Sequence, residues 1–476
     1  MQNGVKFRCY PNKIQEQSLL QWIGHQRYIY NAKVLEDQYF RSFSRKSLQH
    51  AGQFAPIDQQ YAQFKTELTP WLSDVPSVVL RNGAVKWKQA YSRFFSKLGG
   101  RPVVHKNHGK QAVWLTSELF EFVPVTDKAT GEISHQLQVG TKKHPVGVLG
   151  FTAHKPYGLP ASIHISINAG HWYVSFNYDD SIPEPSDKET AAWLMEFNEA
   201  ELRGKTVGLD RGVTIPLAGS DGQKFDFSPI QKKRLAAQER HKKRWQRRQA
   251  RRIKGSGRWV NAKRRVARHQ RYGADVRREV AHQTSAVLAS DPRYNLFVFE
   301  ALKVKNMTAS AKGSVETPGK NVRQKAGLNR SILASSWGQT KTYLQYKARR
   351  KGKLCVDVPP HYSSQECAAC GHVHQDNRQS QSLFVCLSCG YTDNADRNAG
   401  KVLAMRGVRL LLSGNYGKKE SRRCAITRIK VGAESSEPAV EMQPTCVETE
   451  VSRLDSNIPA LWSLKRETPA TASQEA

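Results

Sequence analysis

Between residues 367 and 400 the chain reads CAACGHVHQDNRQSQSLFVCLSCGYTDNADRNAG, and no other stretch constrains the fold as much. Cys367-x2-Cys370 and Cys386-x2-Cys389 stand 15 residues apart. At that spacing two tight turns present four thiolates tetrahedrally to one Zn2+. A shell closed by four thiolates keeps no position open for substrate, so the ion is expected to be structural. His372 and His374, in the intervening loop, are then bystanders. The module runs without a linker into DRNAGKVLAMRGVRLLL, a helical pattern led by Asp396. Any chemistry must therefore be sought outside the thiolates.

Charge narrows the partner. Lys and Arg number 74 against 41 acids, a net charge of +33 in 476 residues. Such a surface repels itself unless a polyanion, best a nucleic acid, neutralises it. Membrane lipid is the weaker candidate, because no apolar run approaches the roughly 18 to 20 residues of a spanning helix. The opening MQNGVKFRCYPNK lacks the apolar core of a secretory signal, so a cytoplasmic location, in the cytosol or nucleoid, is expected. Cys9, Cys355, Cys424 and Cys446 are scattered, which fits a reducing compartment rather than disulfides. The length predicts two to four domains.

Periodicity divides the chain. A strand is predicted over VKFRCY (5–10), followed by a helix carrying Leu19, Trp22, Ile23, Tyr30 and Val34. A second helix carries Leu80, Ala84, Trp87, Tyr91, Phe94 and Leu98, with Gly99-Gly100 expected to end it. From about 101 to 180 the period becomes two. SIHISINAGHWYVSFNY reads as a β-hairpin with a turn at NAG. Strands at TVGLD, LFVFE and KLCVDVP then alternate with helical segments, the pattern of an α/β domain with a partly parallel sheet. The tail beyond about 415 shows little periodicity, and its last stretch, from AESSEPAVEM to SQEA, turns acidic and Pro/Ser/Thr-rich, so the tail is expected to be disordered.

Between Lys232 and Arg271 lie 18 Lys/Arg and one acid, Glu239, in a background of helix formers broken at GSG. Like charges at i,i+4 destabilise a helix unless something neutralises them, which argues for contact with nucleic-acid phosphates. The contact residues expected are Lys232, Lys233, Arg234, Arg240, Lys242, Lys243, Arg244, Arg247, Arg248, Arg251, Arg252, Lys263, Arg264 and Arg265, with Trp245 and Trp259 able to stack or pack.

Three acids stand out by context. Asp210 ends TVGLD, Glu300 ends LFVFE, and Asp396 opens the helix after the cysteines. Each alone would more often be a turn residue or a helix cap. Together, two carboxylates at strand ends and one at a helix start can gather at a sheet edge and hold a pair of Mg2+ ions. Two metals about 4 Å apart activate water and stabilise the leaving oxygen of a phosphodiester.

GLDRGV, FEAL and DRNAG, the last following a four-cysteine ribbon, resemble the three RuvC motifs of the TnpB (OrfB) family of transposon-encoded RNA-guided DNA endonucleases, relatives of the type V CRISPR effectors. KFRCYPNKIQ, VPSVVLRNGAVKWKQAYSRFF and LNRSILASSWG are similar to the family as well, so the resemblance extends to about residue 412. It implies a multidomain α/β protein: an RNase H-like RuvC nuclease (200–362, including the basic segment 230–272, and a final helix at 396–414) with an inserted zinc ribbon (363–395). It further implies a helical recognition lobe (11–100) and a β-barrel wedge domain (1–10 and 101–190), with 415–476 as a tail. By motif position Asp210, Glu300 and Asp396 become catalytic ligands of two Mg2+ ions, and Cys367, Cys370, Cys386 and Cys389 ligands of one structural Zn2+. The implied partners are a guide RNA and double-stranded target DNA, cut beside a short motif that the protein reads. Gly400 stands where the third motif more often has alanine, a departure expected to be tolerated.

Two other readings remain. A nuclease-inactive RNA-guided repressor is the first, although all three acids are present. A transposase that joins DNA ends is the second, and it lacks a clear helix-turn-helix or tyrosine nucleophile motif in the sequence.

Overall fold

A computed structural model describes residues 2–44, 57–107, 111–126, 133–380, 382–414 and 416. The described residues form one compact unit, and the expected tail, apart from residue 416, lies outside them.

The N-terminal half runs β1 (Gln2–Cys9), α1 (Lys13–Tyr39), α2 (Ser77–Phe95), β2 (Gln111–Thr116), β3 (Phe120–Thr126), β4 (Ile133–Gly140), β5 (Pro145–Leu149), β6 (Phe151–Thr152), β7 (Ser162–Asn168) and β8 (His171–Asp179). Asn12 caps α1 by accepting from the Gln15 backbone N–H at 2.9 Å, while the Gln15 side chain returns a bond to the Asn12 N–H. α2 ends four residues before Gly99-Gly100. Lys97 (φ 57) adopts the left-handed conformation instead, and the Leu98 N–H closes on the Arg93 carbonyl at 2.8 Å.

The strands form two sheets, β2-β7-β8-β1-β6 and β3-β4-β5. The β7–β8 hairpin turns at Ala169 (φ 50) and Gly170 (φ 79), and two positive angles in a two-residue loop match the twist of the strands. The expected barrel does not form: among the described residues no sheet closes on itself. β6 is too short to extend an edge, pairing only with Arg8 and Cys9 of β1. Helices take the place of closing strands. Leu19, Trp22, Ile23 and Ile29 of α1 and Val79, Leu80 and Ala84 of α2 share one apolar cluster with Phe7, Val113, Leu137, Leu149, Ile165 and Val174 of both sheets.

The C-terminal half runs α3 (Asp187–Leu194), α4 (Glu199–Gly204), β9 (Thr206–Asp210), β10 (Leu217–Gly219), β11 (Lys224–Phe225), α5 (Pro229–Ala250), α6 (Gly257–Ser290), β12 (Leu296–Glu300), α7 (Val304–Met307), α8 (Val322–Ala334), α9 (Trp337–Arg349), β13 (Leu354–Val358), β14 (Leu383–Val385), β15 (Thr392–Asn394) and α10 (Ala395–Leu412). The sheet order is β11-β10-β9-β12-β13. β12 is parallel to both β9 and β13, and β10 is antiparallel to β9. β12 is buried along its whole length because helices cover both faces. Leu296 and Val298 join Leu202 of α4 and Leu403, Val408 and Leu411 of α10. Phe297 and Phe299 join Leu288 of α6 and Leu344 and Ala348 of α9. Each such side chain contributes about 1.5–3 kcal/mol, so the parallel strands are the rigid centre of this half.

α10 lies against β9 at an unusually close crossing. A Cβ added to Gly208 would stand 1.9 Å from the Gly400 carbonyl oxygen, and one added to Gly400 would stand 2.9 Å from the Ser220 backbone. Gly400 thus occupies a position with no room for the alanine more usual in the motif, and its helix seats directly on the strand that ends in Asp210. Among the described residues no helix is long and apolar enough to cross a membrane.

Candidate metal centres and nucleic-acid interface

Two sites meet at the N-terminus of α10. The first is the cysteine cluster. Cys367 to Cys389 is 3.7 Å and Cys370 to Cys386 is 3.6 Å between sulfurs, and all four sulfurs lie within 4.8 Å of one another. Zn–S bonds of about 2.3 Å in a tetrahedron require S–S separations of roughly 3.8 Å, so the thiols are already spaced to hold zinc. The two knuckles repeat one geometry. Gly371 (φ 78) and Gly390 (φ 71) donate to the carbonyls of Cys367 and Cys386, at 2.9 and 3.0 Å. The Cys367 and Cys386 N–H groups donate in turn to the carbonyls of His372 and Tyr391, both at 2.9 Å. His372 and His374 do not belong to the cluster.

The ribbon is tied to α10 at two points along the helix. Asn398 is fully buried; its Nδ2 donates to the Glu366 carbonyl at 2.8 Å and its Oδ1 accepts from the Ala368 N–H at 3.0 Å. Arg406 donates to the carbonyls of Pro359 and His361, at 2.7 and 2.8 Å, and to the Glu366 carboxylate. Phe384, Cys367, Cys386 and Ala395 form a small core shared by ribbon and helix.

The second site is acidic. Leu209 pairs with Phe299 across the parallel strands, so the next residues, Asp210 and Glu300, end β9 and β12 side by side. Asp396 lies in the first turn of α10, but it is not the cap. Asn394 is, accepting from the backbone N–H groups of Asp396 and Arg397 at 3.1 and 3.3 Å. Burial first, then the charges of Glu300 and Asp396, push the Asp210 carboxyl up to about 7. With Glu300 and Asp396 beside it, Asp210 completes a set of hard oxygen donors, the donor type that Mg2+ takes.

Each of the other two acids has a partner within the protein. The Ser363 hydroxyl donates to Glu300 Oε1 at 2.8 Å, Arg211 donates to the Glu300 backbone carbonyl, and Arg378 of the ribbon pairs with Asp396 Oδ1 at 3.2 Å. Among the described residues the four cysteines are the one group of three or more Cys, His or acidic side chains converged to metal-binding distance. Trp337 donates its indole N–H to the Gly212 carbonyl at 3.0 Å, anchoring the loop that follows Asp210.

Of these partners, Ser363, Asn398 and Arg378 escape a sequence reading. Asn398 lies inside the quoted DRNAG, and its spacing from Asp396 was the available signal. Ser363 and Arg378 have no local pattern that could reveal them.

The basic run forms an antiparallel helical hairpin, α5 and α6, with the predicted break between them. α5 buries none of its residues. Of the fourteen expected contact residues twelve are exposed, while Lys242 and Arg252 are half-buried. Lys232 pairs with Asp226 and Lys242 with Glu239 at 2.5 Å. Trp245 packs under Arg248 and Arg265, with the cations 4.8 and 5.8 Å from its ring, which commits that indole within the hairpin.

Residues 183–311 match a family model described as a probable transposase (OrfB), residues 337–403 one described as a Cas12f1-like TNB domain, and residues 1–38 one described as a helix-turn-helix domain. In that last span the fold is a strand and a single 27-residue helix. The putative RNA-guided DNA endonuclease InsQ of Escherichia coli strain K12 is 31% identical over 415 residues, covering 86% of this chain and 93% of the relative. A putative RNA-guided DNA endonuclease of Streptomyces pristinaespiralis is 25% identical over 439 residues, covering 90% and 96%. The protein chain of a cryo-EM structure of a Cas12f1–sgRNA–target DNA complex covers 85% of this chain and 98% of its own at a TM-score of 0.48 and 12% identity. With a relative this similar along nearly its whole length, the chain belongs to the OrfB (TnpB) family.

Proposed function

We propose that the protein is an RNA-guided DNA endonuclease that hydrolyses phosphodiesters of target DNA with a RuvC-type carboxylate site. The observation that carries this reading is the junction of Asp210, Glu300 and Asp396 at one end of the parallel strands, with Asp210 perturbed first by burial and then by the charges of the other two. Asp210, Glu300 and Asp396 would hold divalent ions, most simply a pair of Mg2+. Bound there, such ions supply water activation and charge stabilisation at the leaving oxygen. The chain's own part is to fix the donors: β9 and β12 set the spacing of two of them, and α10, seated on Gly208, brings the third. Cys367, Cys370, Cys386 and Cys389 would hold one structural Zn2+ that keeps the ribbon rigid against α10.

The wedge, recognition-lobe, nuclease and ribbon boundaries drawn from the sequence are part of this proposal. The α5–α6 hairpin would lie along the guide RNA or its heteroduplex with the target. Base pairing would read the target sequence, and the protein would read backbone shape and a short adjacent motif. A nuclease-inactive repressor is not favoured, because two relatives that match along most of the chain are both named as endonucleases and all three carboxylates are present.

The test is to express the protein with its flanking DNA, sequence the RNA that co-purifies, and present the complex with Mg2+ and a plasmid library carrying the matching target beside randomised bases. Cleavage of a subset sharing one adjacent motif is expected. A discrete RNA with target retention but no cleavage would favour the repressor, and absence of a discrete RNA would refute guidance. Replacing six exposed cations of the hairpin by Gln should reduce the salt slope of RNA binding by roughly 4 to 5, at about 0.7–0.9 per phosphate contact. An unchanged slope would remove the RNA from this surface.

A further inference from the structure

We infer that Arg378 is an internal counter-cation for the carboxylate site, contributed by the ribbon and displaced when divalent ions bind. The inference rests on the proposed role of Asp396. Asn394 performs the capping of α10, so the Asp396 carboxylate is left to pair outside its own turn, and Arg378 lies 3.2 Å from it. Arg378 also acts on Asp210, offsetting part of the repulsion from Glu300 and Asp396. One guanidinium therefore pairs directly with Asp396 and acts on Asp210 through its charge alone.

The arginine comes from an anchored position. It follows the short 3-10 turn Gln375–Asn377, and the Asn377 side chain is fully buried. That side chain donates to the carbonyls of Gln365 and His372, at 2.9 and 3.2 Å, and accepts from the Leu387 N–H at 3.0 Å. The backbone of Arg378 bridges to Phe384 in the ribbon core. The side chains of Arg378 and Asp396 are only 28% and 25% exposed, so water screens the pair incompletely. A guanidinium cannot give up its proton at any working pH, so it yields to a metal only by moving away. Metal loading is thus coupled to a displacement of the Arg378 side chain from Asp396, and the ribbon offsets part of the negative charge of the metal-free site.

The readout is Mn2+ binding by electron paramagnetic resonance, at fixed ionic strength, on the full chain with its RNA. Arg378→Gln should bind Mn2+ roughly three- to tenfold more tightly at unchanged stoichiometry, the scale of one partly screened ion pair. Arg378→Lys, which keeps the charge without the planar fork, should fall between it and wild type and supplies the test if the Gln variant loses its zinc. The Mg2+ concentration needed for cleavage should drop in the same order. Equal or weaker Mn2+ binding in both variants overturns the inference. Asp396→Asn separates the two claims: full Mn2+ stoichiometry and affinity in that variant would instead refute the carboxylate site itself.

Discussion

The four cysteines and the three carboxylates both adjoin the N-terminus of α10, yet they are built in different ways. The sulfurs already stand within 4.8 Å of one another, fixed by two knuckles closed by local backbone hydrogen bonds. The carboxylates come from β9, β12 and α10, far apart in sequence, and Glu300 and Asp396 are each engaged by a neighbouring side chain. A structural site can afford complete pre-organisation. The proposed ion site, which would have to admit a phosphodiester as well, instead draws its donors from separate elements and engages two of them with protein partners.

That contrast can be broken most sharply at Asp210. Asp210→Ala should lower cleavage by about a thousandfold or more, the ~4 kcal/mol that loss of a charge-stabilising group at a reacting centre costs, while zinc content and RNA binding stay unchanged. Cleavage within tenfold of wild type would dissolve the distinction between the two sites. Cys370→Ser should act in the opposite sense, releasing zinc and lowering the melting temperature, with cleavage falling some 10- to 100-fold because α10 loses its support. Zinc measured by a colorimetric chelator together with a melting curve checks this, and retention of one zinc per chain would contradict the four-thiolate shell.

Asn398→Ala probes the bridge between the sites. It leaves the Ala368 N–H and the Glu366 carbonyl without their partner, at about 1–3 kcal/mol for each group left buried and unmet. Zinc should remain bound while cleavage falls about tenfold, whereas unaltered cleavage would mean that the ribbon does not position Asp396. His374→Ala sets the floor of the series, with no change expected in zinc stoichiometry or melting temperature.

What could be read from sequence follows the same division. Contacts that span a few residues were legible: the two Cys-x2-Cys turns, the period-two hairpin at 162–179, the helical stripe of α2 as far as Phe94 (Leu98 lies beyond the helix and is exposed) and the break in the basic run. Contacts fixed only by tertiary packing were not. Gly99-Gly100 looked like the stop of α2, but Lys97 takes the left-handed conformation earlier. Asp396 looked like a cap until Asn394 claimed that role. Alternation predicted strands without saying whether their sheets close, and here α1 and α2 fill the space that closing strands would have taken. The approach of Asp210 to Glu300 depends on the register of two parallel strands, and the pairing of Arg378 with Asp396 depends on how the ribbon seats on α10. Neither leaves a trace in local spacing.

The most direct measurement is single-turnover cleavage of one matched target by the RNA-loaded protein in Mg2+, comparing wild type with Asp210→Ala, Glu300→Ala and Asp396→Ala after equal target binding has been verified. The account predicts cleavage of the matched target by wild type alone, with all three variants bound but inactive and an unmatched target left intact. Cleavage that survives in any one of the variants, or that ignores the match to the RNA, would contradict it.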